Sequence, residues 1–251
     1  MDIVIIGSGN VAASLGRKFV TAGHHIAQIL SRNSHAASEL AYEWDTESAN
    51  YSSLINKEAD VYIIAVSDNA IEEVVNDIRL PGKVVAHTAA SVKMNVLEKV
   101  SENYGVFYPL QSLRKEVETA AIPIYTEASN EKTTAVLNEL AHSIYNSPVH
   151  SADFDKRAKL HVAAVVVNNF TNHILALAED YCRKEGLDFT ELLPLINNTV
   201  ARLHNELPST MQTGPAARQD YATISKHEEL LQHHPKLLRL YRFVTDSILH
   251  N

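Results

Sequence analysis

The chain has 251 residues, of which 45% are hydrophobic and 21% are charged, and its formal net charge at pH 7 is −8. This composition is typical of a soluble globular protein with one large or two modest domains, and the negative charge argues against nucleic acid as a partner. Cys182 is the single cysteine, which excludes a disulfide framework and a cysteine-based zinc site. The thirteen histidines are scattered without metal-ligand spacing, so we predict no metal. No basic segment precedes a long apolar stretch at the amino end, so we expect a cytoplasmic protein without a membrane partner.

A buried strand followed by a glycine-rich turn opens the chain. Residues 2–6 are mostly apolar, and the next residues follow the Gly-x-Gly-x-x-Ala spacing of a dinucleotide-binding turn. Gly7 permits the tight turn, Gly9 lets the backbone approach a pyrophosphate, and Ala12 keeps the following helix close to the strand. The N–H groups at the start of that helix would face the phosphates. The predicted phosphate-binding residues are Gly7, Ser8, Gly9, Asn10 and Val11.

Predicted strands alternate with predicted helices through the first 150 residues. The strands cover residues 2–6, 25–30, a short segment near Asp45, 60–66, 83–87, 105–108, 121–125 and 148–150. The helices between them cover 10–22, 34–43, 69–78, 91–101 and 130–145. After residue 151 only helices are predicted, over 153–185, 190–206, 216–232 and 236–249. This order predicts an α/β protein with a Rossmann doubly wound parallel sheet over residues 1–150 and an all-α domain over 151–251.

The end of the second strand indicates which dinucleotide binds. A site for NAD usually has a carboxylate there, to hold the ribose hydroxyls. This strand ends Leu30-Ser31-Arg32-Asn33, without an acid. Ser31 can donate a hydrogen bond, and the Arg32 guanidinium can pair with a 2′-phosphate. These residues therefore favour NADP(H), although Arg32 could instead be a solvated loop residue.

The ends of the next two strands add further candidates. Small residues end the strand over 60–66 and would lie along the cofactor. They are Ala65, Val66 and Ser67, although Ser67 could equally cap the following helix. His87 and Thr88 end the strand over 83–87 and would lie beside the nicotinamide. There His87 could donate a proton or orient a substrate, or it could simply be hydrogen-bonded at a strand end.

The helix predicted over 153–185 contains an apolar run, Val162 to Val167, that would bury it on most sides. On a 3.6-residue period His161, Asn168 and Asn172 share one face. An unsatisfied buried amide costs about 1–3 kcal/mol, so polar side chains on such a surface need partners. The partners could be other helices, a second subunit, or the substrate and the nicotinamide carboxamide. The polar residues concerned are His161, Asn168, Asn169, Asn172 and His173.

A second candidate lies in the segment 213–220. Thr213 can cap a new helix and Pro215 suits its first turn, which would place Arg218 one turn into the helix. The free N–H groups and Arg218 would then form an anion pocket, although an ordinary helix start with a surface arginine is an equal alternative. The predicted substrate-binding residues are Asn172, His173 and Arg218. The predicted catalytic residues are His87, His161, Asn168 and Asn169.

These motifs together resemble one group of enzymes. The glycine turn, the Ser31-Arg32 pair, the segment 60–66 and the all-helical second half resemble the group of β-hydroxyacid dehydrogenases, 6-phosphogluconate dehydrogenases and pyrroline-5-carboxylate reductases. The resemblance is closer to a branch described as Rossmann-like NADP oxidoreductases with a helical domain of unknown function. The motifs of that branch are His87-Thr88 and residues 107–112, 168–173 and 213–220. The resemblance covers the whole chain and implies binding of NADP.

One position departs from the pattern of the β-hydroxyacid dehydrogenases. Their catalytic lysine lies four residues before an asparagine of the long helix, and the matching residue here is Val165 or Ala164. Neither can transfer a proton, so His161 or His87 would have to substitute. The resemblance and this departure favour reduction of a small polar keto or imine substrate, bound between the two domains. The alternative is a non-catalytic sensor or scaffold protein that binds NADP(H).

A homodimer is the predicted assembly. The helices after residue 190 carry more apolar side chains than one small helical layer readily covers. Pairing through the helical domain is also what the family resemblance implies.

Overall fold

The computed structural model describes residues 1–118, 121–144 and 147–250. These residues form an eight-stranded sheet with the order β3-β2-β1-β4-β5-β6-β7-β8. The strands are β1 (Asp2–Ile6), β2 (His25–Leu30), β3 (Glu47–Ala49), β4 (Val61–Ile64), β5 (Val84–His87), β6 (Asn103–Pro109), β7 (Ile124–Ala128) and β8 (Val149–Ser151). The first six strands are parallel, β7 is antiparallel to β6, and β8 is parallel to β7.

Helices cover both faces of the sheet. Those of the first 164 residues are α1 (Asn10–Thr21), α2 (Ser34–Glu43), α3 (Asp68–Asp77), α4 (Glu131–Ser143) and α5 (Phe154–Ala164). The helices that follow are α6 (Thr171–Lys184), α7 (Leu193–Arg202), α8 (Tyr221–Leu230) and α9 (Pro235–Leu249). Between α5 and α6 the backbone is a π-helix, Val165–Phe170, so that residues 154–184 form one continuous helix.

The residues of β1 alternate between two cores. Ile3 and Ile5 pack in the cluster that contains α1, α2 and α4 residues, whereas Val4 and Ile6 pack in the cluster that contains α3 residues. A strand buried on both faces needs an unbroken apolar run, which is what residues 3–6 supply. The predicted fold class, a Rossmann-like sheet followed by helices, is confirmed.

One predicted helix is wrong. Residues 91–101 contain only a short 3₁₀-helix, Met94–Leu97. Leu97 and Val100 are both buried, and the Val100 carbonyl accepts a hydrogen bond from Leu80 N at 2.9 Å. These tertiary contacts outweigh the helical propensity of the segment. The helix predicted over 130–145 is observed as α4, while residue 145 lies outside the described residues.

The chain divides into two compact units, residues 1–166 and 167–251. The prediction placed the division near residue 151, before the long helix. The first turns of that helix belong to the amino-terminal unit, where Arg157 is fully buried and bonded to Glu127 of β7.

The carboxy-terminal unit buries few apolar side chains of its own. Polar contacts join its helices, such as His234 Nε2 to Glu185 Oε1 at 2.8 Å and His227 Nδ1 to the Tyr241 hydroxyl at 2.9 Å. Its buried apolar residues are Cys182, Ala216, Ile224 and Leu231.

The helix over 154–184 is also long and apolar enough to cross a membrane. Its mean hydropathy reaches 1.3, and none of its apolar window is buried within the chain. One such helix is by itself weak evidence for a membrane span. The absence of a membrane partner therefore stays a prediction.

Candidate functional site

The two glycines of the first turn have different roles. Gly7 has φ +122°, and a Cβ there would lie 2.3 Å from the Ala65 carbonyl oxygen, so the fold itself requires glycine. Gly9 has φ −85° and precedes α1 as its N-cap. Among the described residues, no atom lies within 4 Å of a Cβ built on Gly9. The part of the chain that the structure describes therefore leaves an open space beside Gly9, next to helix N–H groups that none of its side chains caps.

A cavity of about 420 Å³ begins at this turn. Its volume lies in the range of small-molecule sites. It runs along the carboxyl ends of β1, β2 and β4, where ligands bind in open α/β sheets. Eight predicted cofactor residues line it: Gly7, Ser8, Gly9, Ser31, Arg32, Ala65, Val66 and Ser67. Asn10 and Val11 lie in the first turn of α1 instead, and the Asn10 side chain accepts a hydrogen bond from Lys115 N at 3.3 Å.

Donors and carboxylates share the wall of this cavity. The Ser8 and Ser31 hydroxyls are 2.9 Å apart, and Arg32 Nη1 donates to Glu73 Oε1 at 2.6 Å. Both side chains of the Arg32–Glu73 pair are more than half exposed, so the pair contributes little stability, about 0–1 kcal/mol. Ser67 occupies the N-cap position of α3, but among the described residues its side chain makes no capping bond.

His87 ends β5 and is fully buried. Its Nδ1 accepts a hydrogen bond from Ala89 N at 3.2 Å, which leaves the proton of the neutral ring on Nε2. Burial, helped by the Arg157 guanidinium, lowers the pKa of His87 from 6.5 to about 4. The ring is therefore neutral at pH 7. Thr88 follows it, also buried, and its backbone N–H donates to the Ile64 carbonyl at 3.1 Å.

Sequence reasoning missed a buried arginine close to His87. Arg157 of α5 donates through Nη1 to Glu127 at 2.5 Å and through Nη2 to the Val92 carbonyl at 2.8 Å. It thereby ties the segment after β5 to β7 and to the long helix. No periodicity marks Arg157 as buried, because its partner Glu127 is thirty residues away in the sequence.

A tyrosine near the end of β6 was missed as well. The Tyr108 hydroxyl lies 3.1 Å from His161 Nδ1, and the two rings meet edge to face with centroids 6.3 Å apart. Burial, and to a lesser degree the Asp68 carboxylate, raises the pKa of Tyr108 to about 12. Its position could have indicated a site residue, because Tyr108 lies near the carboxyl end of a strand that neighbours β5.

The predicted burial of the long helix is wrong for the single chain. Val162 is 66% exposed and Val167 is 72% exposed. The side chains of Asn168, Asn169, Asn172 and His173 are also exposed. A π-helix has more residues per turn than an α-helix, so the π-helical stretch over 165–170 also changes the faces assigned from a 3.6-residue period.

The predicted anion pocket at Arg218 is wrong too. The helix begins at Tyr221 rather than residue 216, and its cap is Asp220, whose carboxylate accepts from Thr223 N at 3.1 Å. Arg218 is exposed and precedes the helix. The helix start is therefore occupied by the protein's own carboxylate, which disfavours an anion.

Two domain families match the sequence. The family described as NADP oxidoreductase, coenzyme F420-dependent, matches residues 2–91. The domain of unknown function DUF2520 matches residues 122–248. A comparison with curated proteins gave no match.

Solved structures are similar over the whole chain. A Bacteroides fragilis protein, provisionally named as an NADP oxidoreductase, is 38% identical with a TM-score of 0.92, covering 100% of this chain and 98% of that one. The reductive aminase of Aspergillus terreus, in complex with NADPH and ethyl levulinate, is 17% identical with a TM-score of 0.73, covering 100% and 94%. The pyrroline-5-carboxylate reductase of Streptococcus pyogenes is 16% identical with a TM-score of 0.65, covering 100% and 99%. At such low identities the last two show the shared fold alone.

The fold is Rossmann-like, with a cavity at the carboxyl ends of the first strands. The chain belongs to the family of NADP oxidoreductases that carry a carboxy-terminal DUF2520 domain. The resemblance predicted from the sequence motifs is therefore confirmed.

Proposed function

We propose that this protein is an NADP(H)-dependent oxidoreductase that reduces a small polar keto or imine substrate. The observation that carries the proposal is the open space at Gly9 beside uncapped helix N–H groups. A glycine that the fold does not need for its own packing fits a ligand that approaches the backbone closely. The family described as NADP oxidoreductase supports the same conclusion.

Several cavity residues support NADP(H) as the ligand. The first N–H groups of α1 would hold the pyrophosphate. Ser31 and Arg32 would hold the 2′-phosphate, which forms stronger charge-assisted hydrogen bonds than a ribose hydroxyl. To bind it, Arg32 must exchange the exposed Glu73 carboxylate for the phosphate, and the weakness of that pair makes the exchange inexpensive. NADPH would supply the hydride for the reduction.

Two arguments favour a keto or imine substrate. The residue at the position of the β-hydroxyacid dehydrogenase lysine is Val165 or Ala164, so the base that would remove a proton from a hydroxyacid is missing. The structural neighbours named reductive aminase and pyrroline-5-carboxylate reductase are enzymes with the same fold.

A substrate panel tests this proposal. We expect the purified protein to oxidise NADPH faster than NADH with at least one member of a set of small keto acids and cyclic imines, followed by the loss of absorbance at the reduced nicotinamide band. The matched variant is Gly9→Ala, whose new Cβ meets none of the described residues beyond its chain neighbours but would obstruct the pyrophosphate. It should fold and yet lose turnover.

The contrary outcome is equally specific. A protein that binds NADPH tightly but consumes it with no member of the panel is a non-catalytic sensor or scaffold. In that case the proposed reduction is wrong while the cofactor site stands.

A further inference from the structure

Tyr108 and His161 form a hydrogen-bonded pair that the proposed function does not yet use. The Tyr108 hydroxyl and His161 Nδ1 are 3.1 Å apart, and the edge-to-face contact of the rings fixes their orientation. Among the described residues, His161 is the one hydrogen-bond partner of this hydroxyl. A phenol can donate one proton and accept at two lone pairs, so this hydroxyl retains capacity for a second partner.

The pair lies at the edge of the sheet where the cofactor cavity lies. β6 runs parallel to β5, with His87 opposite Val106, so Tyr108 stands two residues beyond the last residue of β5. The carboxyl ends of parallel strands share one edge, where the ends of β1, β2 and β4 line the cavity. Tyr108 also lies within electrostatic reach of Asp68, which starts α3 directly after that cavity wall.

The surroundings of the pair keep a proton on the phenol. Tyr108 is 7% exposed, and its pKa of about 12 leaves it protonated at neutral pH but a weaker acid than a free phenol, so a hydrogen bond from His161 is needed to stabilise the phenolate that donation leaves behind. The other titratable groups that face it are Asp68, Arg157 and Tyr125. His161 is partly exposed and so can exchange protons with solvent.

His87 is less suited to this task. Its ring is fully buried and, with a pKa of about 4, it carries no extra proton at pH 7. A neutral imidazole is a far weaker acid than the imidazolium ion. The position of the family lysine holds Val165 or Ala164, which have no proton to give.

We propose that Tyr108 donates the proton of the reduction and that His161 returns a proton to Tyr108, an inference that rests on the proposed function. The hydride brings both electrons to the substrate carbon, so one proton is still required at the imine nitrogen or keto oxygen. The Tyr108 O–H bond breaks as the new N–H or O–H bond forms. Protonated His161 then passes its Nδ1 proton to the phenolate oxygen and takes up a replacement from solvent. The sum is one hydride and one solvent proton added across the double bond.

Removal of a single hydroxyl tests the proposal. Tyr108→Phe keeps the ring and is expected to lower kcat by about 10²–10⁴-fold, the usual contribution of a general acid, with the Kd for NADPH unchanged. The matched control is Tyr125→Phe, which removes the hydroxyl of the neighbouring ring, 6.5 Å away on β7. That control should retain turnover.

A second measurement detects the hydrogen bond between Tyr108 and His161 and does not depend on turnover. In the cofactor-free protein labelled with ¹⁵N-histidine, Tyr108→Phe should shift the Nδ1 resonance of His161, whereas Tyr125→Phe should leave it in place. This readout checks that the hydrogen bond exists in solution and that the variant is folded.

The outcomes separate the two proposals. If the wild-type protein reduces a substrate and Tyr108→Phe does so at the same rate, the assignment of Tyr108 is wrong and the proposed function stands. If the His161 resonance is insensitive to Tyr108→Phe, the relay is wrong. If the wild-type protein binds NADPH without turnover, the proposed function fails and the assignment of Tyr108 fails with it.

Discussion

At the scale of single residues, His87 shows how burial decides a role. The strand-end position suggested a proton donor beside the nicotinamide, whereas full burial lowers the pKa of the imidazole to about 4. The ring is held by the Ala89 N–H, and among the described residues its Nε2 has no partner in hydrogen-bonding geometry. Its role as a catalytic residue stays a prediction, but the environment is that of a neutral structural histidine.

This environment predicts an acid-sensitive fold. The unfolded chain binds the proton of His87 with the ordinary pKa of 6.5 and the folded protein with a pKa of about 4. Below pH 6.5 the unfolded state therefore binds more protons, and folding stability falls until about pH 4, by about 3 kcal/mol in total. In His87→Asn, whose amide oxygen can still accept from Ala89 N, this loss should be absent.

Urea unfolding at several pH values between 7 and 4 measures the effect. The difference in unfolding free energy between wild type and His87→Asn should change by about 3 kcal/mol in favour of the variant as the pH falls. Val20→Ala, at an exposed position of α1, is the control and should show no such trend, because it changes no titratable group. A difference that does not vary with pH would show that the burial of His87 is not what we describe.

Strand-end rules also explain which site residues the sequence could predict. In a parallel sheet the residues after each strand meet at one edge, which is why Gly9, Ser31, Arg32 and Ser67, predicted from strand order alone, line one cavity. Their binding of the cofactor stays a prediction. Arg157 and Tyr108 could not be found this way. Their roles depend on partners distant in sequence, such as Glu127 and His161.

At the scale of elements, the sequence pattern predicted the positions and directions of the six parallel strands better than those of β7 and β8. β2 and α2 begin and end where the sequence placed them, because turn and cap residues mark their boundaries. The sequence did not reveal that β7 is antiparallel, because a short apolar strand has the same residue pattern in either direction.

The long helix shows the limit of a fixed period. Its apolar run was correctly assigned to a helix, but the π-helical stretch over 165–170 alters which side chains share a face. The start of α8 was also misplaced, because the sequence offers two residues that could cap the helix. Thr213 and Asp220 are both good caps by type, and only the bond from Thr223 N to Asp220 shows which one acts.

At the scale of the whole molecule, the carboxy-terminal unit exposes more apolar surface than a stable monomer usually does. Leu195 is 65% exposed, Leu207 is 70% exposed and Phe243 is 74% exposed, while only a few apolar side chains of this unit are buried. We propose that a second copy of the chain covers this surface, so that the protein is a homodimer through its carboxy-terminal helices.

Sedimentation at micromolar concentration tests this assembly. The wild-type protein should sediment as a dimer, and Phe243→Asp should shift it towards the monomer, because burying a charge in an apolar interface is costly. Tyr42→Asp is the control, since Tyr42 is 92% exposed but lies on α2 of the amino-terminal unit. A wild-type protein that is a strict monomer, or that requires detergent to stay in solution, would contradict the homodimer.

The central claim is that the turn from Gly7 to Gly9 holds the pyrophosphate of NADP(H) against the start of α1. Equilibrium titration of the cofactor-free protein with NADPH and with NADH, followed by nicotinamide fluorescence, tests it most directly. We predict saturable binding that is tighter for NADPH, and binding at least ten-fold weaker in a folded Gly9→Ala variant. Failure of the wild-type protein to bind either nucleotide, or unchanged affinity in Gly9→Ala, would contradict the account.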